Sequence, residues 1–404
     1  NDTCPYIKFQ EVDNNIIEIE AFGGLVREVP IFYKIGNRKL LLADSPDKLI
    51  SSDYELDEFS IKEFLTFGYV TSDRTLFKHV YQLEAGEKLV YHGKNVIIKT
   101  EFLYNKKTNS EKNRYELKNE LMEISENIFS DLIKTLGGKT ALIPLSAGYD
   151  SRFIASMLKI GGFRDVICYS WGEPGNKDIE VSRKIASKLG FKWICVDYCD
   201  QRWNKTIHSK WLRGMLIDAS KWTSISGAAS LPFQDYLRDS DLDLKNCVII
   251  PGHTGDFISG GHIPASVTEK TSKKEIIKFI KNKHYLVGAK FSDEDILTEI
   301  NNKIDYYLKY IEGYRSIETW EWRERQSKFI VNTNRYYESI SLAWSMPLWD
   351  YRFIDYWQKV PLSGKINSDL YKEFLEDKIF SQVGVDFELK RDRKTDINVL
   401  KKKL

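Results

Sequence analysis

Six consecutive residues, Ser146-Ala147-Gly148-Tyr149-Asp150-Ser151, have the types and spacing to handle a charged ligand. They follow an apolar run, Ala141 to Leu145, and lead into a helical pattern. Such a strand-to-helix turn points backbone N–H groups outward, with the positive end of a helix dipole behind them. Small residues let a ligand approach that backbone, and two hydroxyls flank it, which suits phosphate or pyrophosphate. Asp150 repels such an anion unless a divalent metal lies between them, so the turn points to Mg²⁺ together with a polyphosphate. The same residues also fit a plain turn capped by Ser and Asp. No G-x-x-x-x-G-K-[ST] run occurs, which disfavours a Walker-type nucleotidase.

The elements that must position this turn are legible on both sides of it. From Thr140 the chain alternates apolar runs with helical stretches: a strand to Leu145, a helix from Ser151, a strand Asp165 to Ser170, a helix Ile179 to Leu189 and a strand Trp193 to Val196. That order predicts a parallel sheet with crossover helices. A further strand, Asn246 to Ile250, ends in a Gly-rich turn, and the chain beyond Lys270 is largely helical. Ligands of open α/β sheets bind beyond the strand ends, so the turns after Leu145, Ser170 and Ile250 are the places to search. Before them, short strands at Ile16–Ile19, Ile31–Ile35, Leu40–Ala43, Lys88–Tyr91 and Val96–Ile98 predict a β-rich module. A hairpin turn is expected at 92–95, and one helix, Ser60–Phe67, is expected with Ser60 as its cap. A polar stretch, Asn105 to Asn113, precedes an amphipathic helix over about Arg114 to Leu136. The expected domains are therefore 1–108, β-rich, and 109–404, an α/β domain with a helical C-terminal part.

Composition excludes several classes. With 404 residues, 42% hydrophobic and 13% aromatic, the chain has ample core. Lys plus Arg number 60 against 58 Asp plus Glu, too balanced to gather nucleic acid or a membrane surface over the whole molecule. No apolar run has the length of a membrane span and no signal-peptide core opens the chain, so a cytoplasmic location is expected. Five cysteines without a C-x-x-C suit reduced thiols rather than a zinc ribbon or disulfide frame. The basic stretch Lys390–Leu404 reads as a solvated tail.

The turn 146–151 resembles the S-G-G-x-D-S pyrophosphate loop of the N-type ATP pyrophosphatases, and more narrowly of asparagine synthetases, β-lactam synthetase, carbapenam synthetase and lasso-peptide cyclases. Ala147 departs from the usual Gly, a change tolerable if its φ stays negative. The run Asn246 to His262, with Pro251-Gly252-His253-Thr254-Gly255-Asp256, is similar to the S-G-[EDY]-G-[AS]-D-E-x-F-x-G-Y segment. Asn334-Arg335 and Met346-Pro347-Leu348-Trp349-Asp350 resemble the D-R…R-V-P-F-L-D segment. In the first module, Pro30–Tyr33, Leu41–Ser45, Phe67–Val70, Thr75–Lys78 and Gln82–Gly86 look like the later half of a class II glutaminase domain.

The resemblance implies an adenine nucleotide alpha hydrolase-like synthetase domain that splits ATP into AMP and pyrophosphate to adenylate a carboxylate, then forms an amide. It places Mg²⁺ on Asp150 and Asp256. Leu145, Ser146, Ala147, Gly148, Asp150, Ser151, Ser170, Trp171 and Gly252 then hold ATP, with adenine met at Leu145, Ser170 and Trp171. His253 falls where the family carries Glu or Tyr and Asp350 on the acidic partner's place, so a His–Asp base pair is expected. The charge-stabilising Lys near the C-terminus is expected at Lys394, with Arg393 close behind and Lys372 as substitute. Phe257, on the place of a Glu, suggests altered substrate recognition, and His262, in place of Tyr, reads as structural.

A class II glutaminase needs an N-terminal Cys, but residue 1 is Asn and Cys4 is internal. Either the gene lost the nucleophile half, leaving a structural remnant, which is the preferred reading, or that half is missing from the polypeptide in hand. The expected function is an ATP-dependent amide synthetase without glutaminase activity. It would act on a small-molecule or peptide carboxylate and take ammonia, free or from a partner protein, or an amine. Bacterial secondary metabolism, including peptide cyclisation, or surface-polysaccharide modification is the expected setting, with no nucleic-acid or membrane partner. The alternatives are an RNA-modifying enzyme with the same loop and a degenerate nucleotide-binding scaffold.

Overall fold

The strand Thr140–Pro144 has Ala141, Leu142 and Ile143 wholly buried, as a central strand covered on both faces must. In the computed structural model it lies mid-sheet. The structure describes residues 3–387 apart from 13–14, 37–38, 93–94, 109–110, 174, 226 and 286–292. Lys394, Arg393 and the basic tail lie outside the described residues, as does the centre of the turn expected at 92–95.

In chain order the first module contributes β1 (Tyr6–Val12), β2 (Asn15–Phe22), β3 (Phe32–Gly36), β4 (Lys39–Ala43), α1 (Glu58–Phe67), β5 (Tyr81–Gln82), β6 (Glu87–His92) and β7 (Asn95–Thr100). They form two antiparallel sheets, ordered β1-β2-β6-β7 and β4-β3-β5. β1 was not foreseen, because its charged and amide residues hide the alternation. The cap of α1 also differs from expectation: Asp57 accepts the Ser60 N–H at 2.7 Å, while Ser60 is buried inside the helix. The earlier acid wins because its side-chain oxygen is the stronger acceptor for an orphan amide.

The long helix α2 (Arg114–Leu136) begins at an Asn113–Glu116 capping box and ends at Gly137 in the left-handed region. It precedes β8 (Thr140–Pro144), α3 (Tyr149–Ile160), β9 (Val166–Gly172), α4 (Lys177–Leu189) and β10 (Lys192–Asp197), followed later by β11 (Cys247–Ile249) and β12 (Ala343–Trp344). These five strands are parallel, in the order β10-β9-β8-β11-β12. The chain winds outward from β8 to β10, then returns to the other side of β8 as β11. That reversal opens a crevice beyond the ends of β8 and β11.

A continuous helical rod, 315–338, supports both parts and contains π-helical turns over Glu321–Ile330. Buried charge joins it to the first module. Arg323 pairs with Glu84 at 3.2 Å and with Glu87, and Arg335 donates to the carbonyls of Arg27 and Glu28, while Lys303, on the helix Asp293–Leu308, also reaches Glu84 at 2.9 Å. Stripping one partner from such a buried pair costs about 3–5 kcal/mol. The aromatic-rich helices after Lys270 are mostly core: Trp320, Trp322 and Trp357 are fully buried, while Tyr337 and Tyr371 line the crevice. No helix among the described residues is long and apolar enough to cross a membrane.

Candidate functional site

The crevice beyond β8 and β11 holds a cavity of about 580 Å³, within the range of small-molecule sites. Leu145, Ser146, Gly148, Asp150, Ser151, Ser170, Trp171, Gly252, His253 and Asp256 all line it. The six-residue turn lies on its floor. Ser146 Oγ accepts the Gly148 N–H at 3.1 Å, and Ser151 Oγ accepts the Ser146 N–H at 3.0 Å. No side chain caps α3, whose N-cap is Gly148, so its first-turn amides are left for water or a ligand. Ala147 is buried, keeps out of the positive-φ region, and its carbonyl accepts from Arg152 Nη2 at 3.0 Å. The Ala side chain therefore fits where the resemblance has Gly.

The second turn is pressed against the first. A Cβ on Gly252 would sit 2.7 Å from the Ser151 nitrogen, and one on Gly255 would sit 2.4 Å from Asp150 Oδ1. Only glycine permits this approach. Between the two lies Thr254, a β-branched residue at φ +84°, a conformation that costs on the order of 1–3 kcal/mol. Its hydroxyl donates to Gln326 Oε1 at 3.2 Å.

This packing brings the two acids together. Asp150 Oδ2 accepts the Asp256 N–H at 3.1 Å, and Asp150 Oδ1 accepts from the Tyr371 hydroxyl at 3.0 Å. Burial, and then the like charge of Asp256, push the Asp150 carboxyl up to about 7. Asp256 opens on the cavity, its side chain 61% exposed. Burial in the cleft works against its ionised form, but the hydrogen bond from His262 outweighs this and holds it below the ordinary range. Two carboxyls of which one is forced toward neutrality make a site where a divalent cation relieves the repulsion, so the residues fit Mg²⁺. Among the described residues no group of three His, Cys, Asp or Glu could hold a metal. The remaining ligands would come from phosphate and water, as Mg²⁺ prefers.

No family model and no curated protein sequence matches the chain. Among solved structures, an NH3-dependent NAD synthetase from Campylobacter jejuni is similar at 14% identity and TM-score 0.26, covering 51% of this chain and 90% of its own. An NMN synthetase from Francisella tularensis gives 12% identity and TM-score 0.26, over 58% of this chain and 98% of its own. A glutamine-dependent NAD(+) synthetase from Cytophaga hutchinsonii gives 10% and 0.25, over 92% and 85%. Likeness this faint carries no argument about the site, and the reading below rests on the residues.

One side of the cavity is built from the end of β9, with Ser170 and Trp171. Ser170 Oγ lies 2.8 Å from the Leu145 carbonyl and accepts from Trp193 Nε1 at 3.0 Å, so the side chain is spent on the sheet. Trp171 stands in an aromatic stack, its ring 4.7 Å from Phe233 and 6.4 Å from Tyr198.

One expectation needs correction. Asp350 does not serve His253. Both its oxygens take Arg352, at 2.8 Å each, and it caps the helix Tyr351–Lys359 through the Arg352 N–H at 2.9 Å. A guanidinium two residues away in sequence engages that carboxylate bidentately, and Asp350 is not among the residues that line the cavity with His253. His253 lines the cavity without it. Burial lowers its pKa to about 4, with Asp256 opposing and the Arg325 charge adding to the fall, so the ring is neutral at physiological pH. Phe257 is buried against Tyr104, Trp349 and His262, so its ring belongs to the core.

The sequence missed Tyr371, which holds Asp150, and Ser368, which lines the cavity. Both lie in a helical segment whose polar residues carry no spacing signal. Lys372, named as a substitute, does line the cavity, its ammonium 2.6 Å from the Asn367 carbonyl.

Proposed function

We propose that this chain is an ATP-dependent, AMP-forming amide synthetase that adenylates a substrate carboxylate and passes the acyl group to ammonia or an amine, without glutaminase activity of its own. The observation that carries the reading is the meeting of Asp150 and Asp256 beside the uncapped start of α3. In the proposed reaction a carboxylate oxygen attacks the α-phosphorus of ATP, the bond to the bridging oxygen breaks, and pyrophosphate leaves. The amine nitrogen then attacks the acyl carbon, AMP leaves, and the nitrogen gives up a proton.

Asp150 and Asp256 would hold Mg²⁺, which when bound offsets the charge gathering on the pyrophosphate. The amides of the turn, with Ser146 and Ser151, bind and orient the phosphates. Lys372 adds positive charge from the facing wall, the part that Lys394 is otherwise proposed to take. The backbone of Leu145 and Ser170, with Trp171, receives adenine. His253, already neutral, accepts the proton released in the amine step.

Residues 1–108 are proposed as a glutaminase-like, β-rich domain and 109–404 as the synthetase. The amine is ammonia, free or from a partner protein, or an amino group of the substrate. A cytoplasmic role in secondary metabolism, peptide cyclisation included, or in surface-polysaccharide modification accords with this chemistry. The test is incubation with Mg-ATP, pools of carboxylic acids and hydroxylamine. AMP, pyrophosphate and hydroxamate are expected, all lost in Asp256→Asn. Release of ADP and phosphate, or nucleotide turnover that survives Asp256→Asn, overturns the reading.

A further inference from the structure

A line of polar side chains leads from the first module to the cavity. The Tyr69 hydroxyl lies 2.8 Å from His284 Nδ1, and His284 Nε2 stands 3.3 Å from Glu321 Oε1 in an electrostatic contact without a hydrogen bond. Glu321 Oε2 is 2.7 Å from His262 Nδ1, and His262 Nε2 is 3.0 Å from Asp256 Oδ2. Tyr69, His284 and Glu321 are each no more than 2% exposed. In such surroundings hydrogen bonds and close polar contacts are both strengthened, and a broken link is costly.

Both His262 ring nitrogens face carboxylate oxygens, which can only accept when ionised, so the ring is aimed from both ends. Glu321, on one side of the ring, is also approached by Lys283 at 3.2 Å and Arg325 at 3.9 Å. Asp256 is thereby held at two points, Oδ2 by His262 and Oδ1 by the Phe257 N–H at 2.8 Å, while the carboxylate still opens on the cavity. Glu321 starts the π-helical turns of the rod, a geometry rare in general and frequent at functional sites.

We infer that the chain Tyr69, His284, Glu321 and His262 is a positioning device for the Asp256 carboxylate, so that the first module contributes to divalent-cation affinity without touching the cation. This rests on the reading of Asp150 and Asp256 as a metal-binding pair. It gives the β-rich module a task that needs no glutaminase chemistry. Hydrogen-bonding partners of metal ligands set ligand orientation, and their loss typically weakens metal binding about 10- to 100-fold.

The test is Mn²⁺ titration of the full chain by electron paramagnetic resonance, with α,β-methylene-ATP present. His262→Phe is expected to bind Mn²⁺ about 10- to 100-fold more weakly, whereas His262→Gln, which keeps an N–H donor, stays within about threefold of the parent. Tyr69→Phe keeps the ring stacked on Phe67, 5.5 Å away, and loses the hydroxyl alone. It is expected to weaken Mn²⁺ binding about three- to tenfold. The double variant Tyr69→Phe/His262→Phe should be no weaker than His262→Phe, because the line is already cut. Unchanged affinity in Tyr69→Phe, additive losses in the double variant, or equal losses in His262→Phe and His262→Gln overturn the inference while leaving the acid-pair reading intact. No Mn²⁺ binding by the parent chain removes both.

Discussion

Replacing Asp150 with Asn should make the metal-free protein more stable at alkaline pH and less able to bind Mg-ATP. The carboxyl moves from an ordinary 3.8 to about 7 in the folded chain. That is about 3 units, and at about 1.4 kcal/mol per unit the ceiling on the cost of ionising it is about 4 kcal/mol. Solvent at the cavity mouth screens part of this, leaving roughly 2 kcal/mol. The folded state keeps the proton up to about pH 7, while the unfolded state releases it near its ordinary value. Stability is therefore lost as pH rises through that window, and the loss is complete above it.

Asn carries no charge at any pH, and its amide can point the oxygen at the Asp256 N–H and the NH₂ at the Tyr371 hydroxyl oxygen. With an unfolding entropy of about 2.1 cal/mol/K per residue, each kcal/mol moves Tm by about 1.2 °C in a chain of this length, so the gain is about 2–5 °C. The assay is thermal melting in EDTA at pH 8 and pH 4. The variant should melt higher at pH 8, with the difference shrinking toward pH 4. A variant less stable at pH 8, or a difference independent of pH, refutes the reasoning.

Gly252→Ala puts a methyl 2.7 Å from the Ser151 nitrogen. It should cost about 1–3 kcal/mol in denaturant melts and weaken nucleotide binding by calorimetry. His253→Ala should spare pyrophosphate exchange and slow hydroxamate formation about 10²-fold or more. Because the His253 pKa is lowered to about 4, the parent rate should show no inflection from this group between pH 6 and 8. Equal loss in both assays removes it from the amine step. Asp350→Ala should lower stability by about 1 kcal/mol through the lost cap, with pyrophosphate exchange unchanged. Abolished exchange would return Asp350 to the chemistry.

The sheet was readable because its strands are buried on both faces and show as apolar runs, whereas the contact of the two turns at Gly252 and Gly255 is visible only in the structure. The loop from Leu145 to Ser151 followed from residue type and order, and the acid at 256 from the resemblance of the run 246–262. What stayed hidden depends on tertiary neighbours. Nothing around Asp350 announces that Arg352 will claim both its oxygens, and Tyr371 reaches Asp150 across 221 positions. The pairing of His262 with Glu321, 59 residues apart, depends on where a π-helical rod crosses the sheet, which local periodicity does not encode. The burial of Phe257 against Tyr104 and Trp349 is likewise decided by packing and not by its place in a motif.

The central claim is most directly tested by an anomalous diffraction map of crystals grown with Mn²⁺ and α,β-methylene-ATP. A manganese peak within bonding distance of both the Asp150 and Asp256 carboxylates, with a phosphate on the amides that begin α3, is the predicted result. A peak elsewhere, or a nucleotide whose phosphates point away from Gly148, would contradict it.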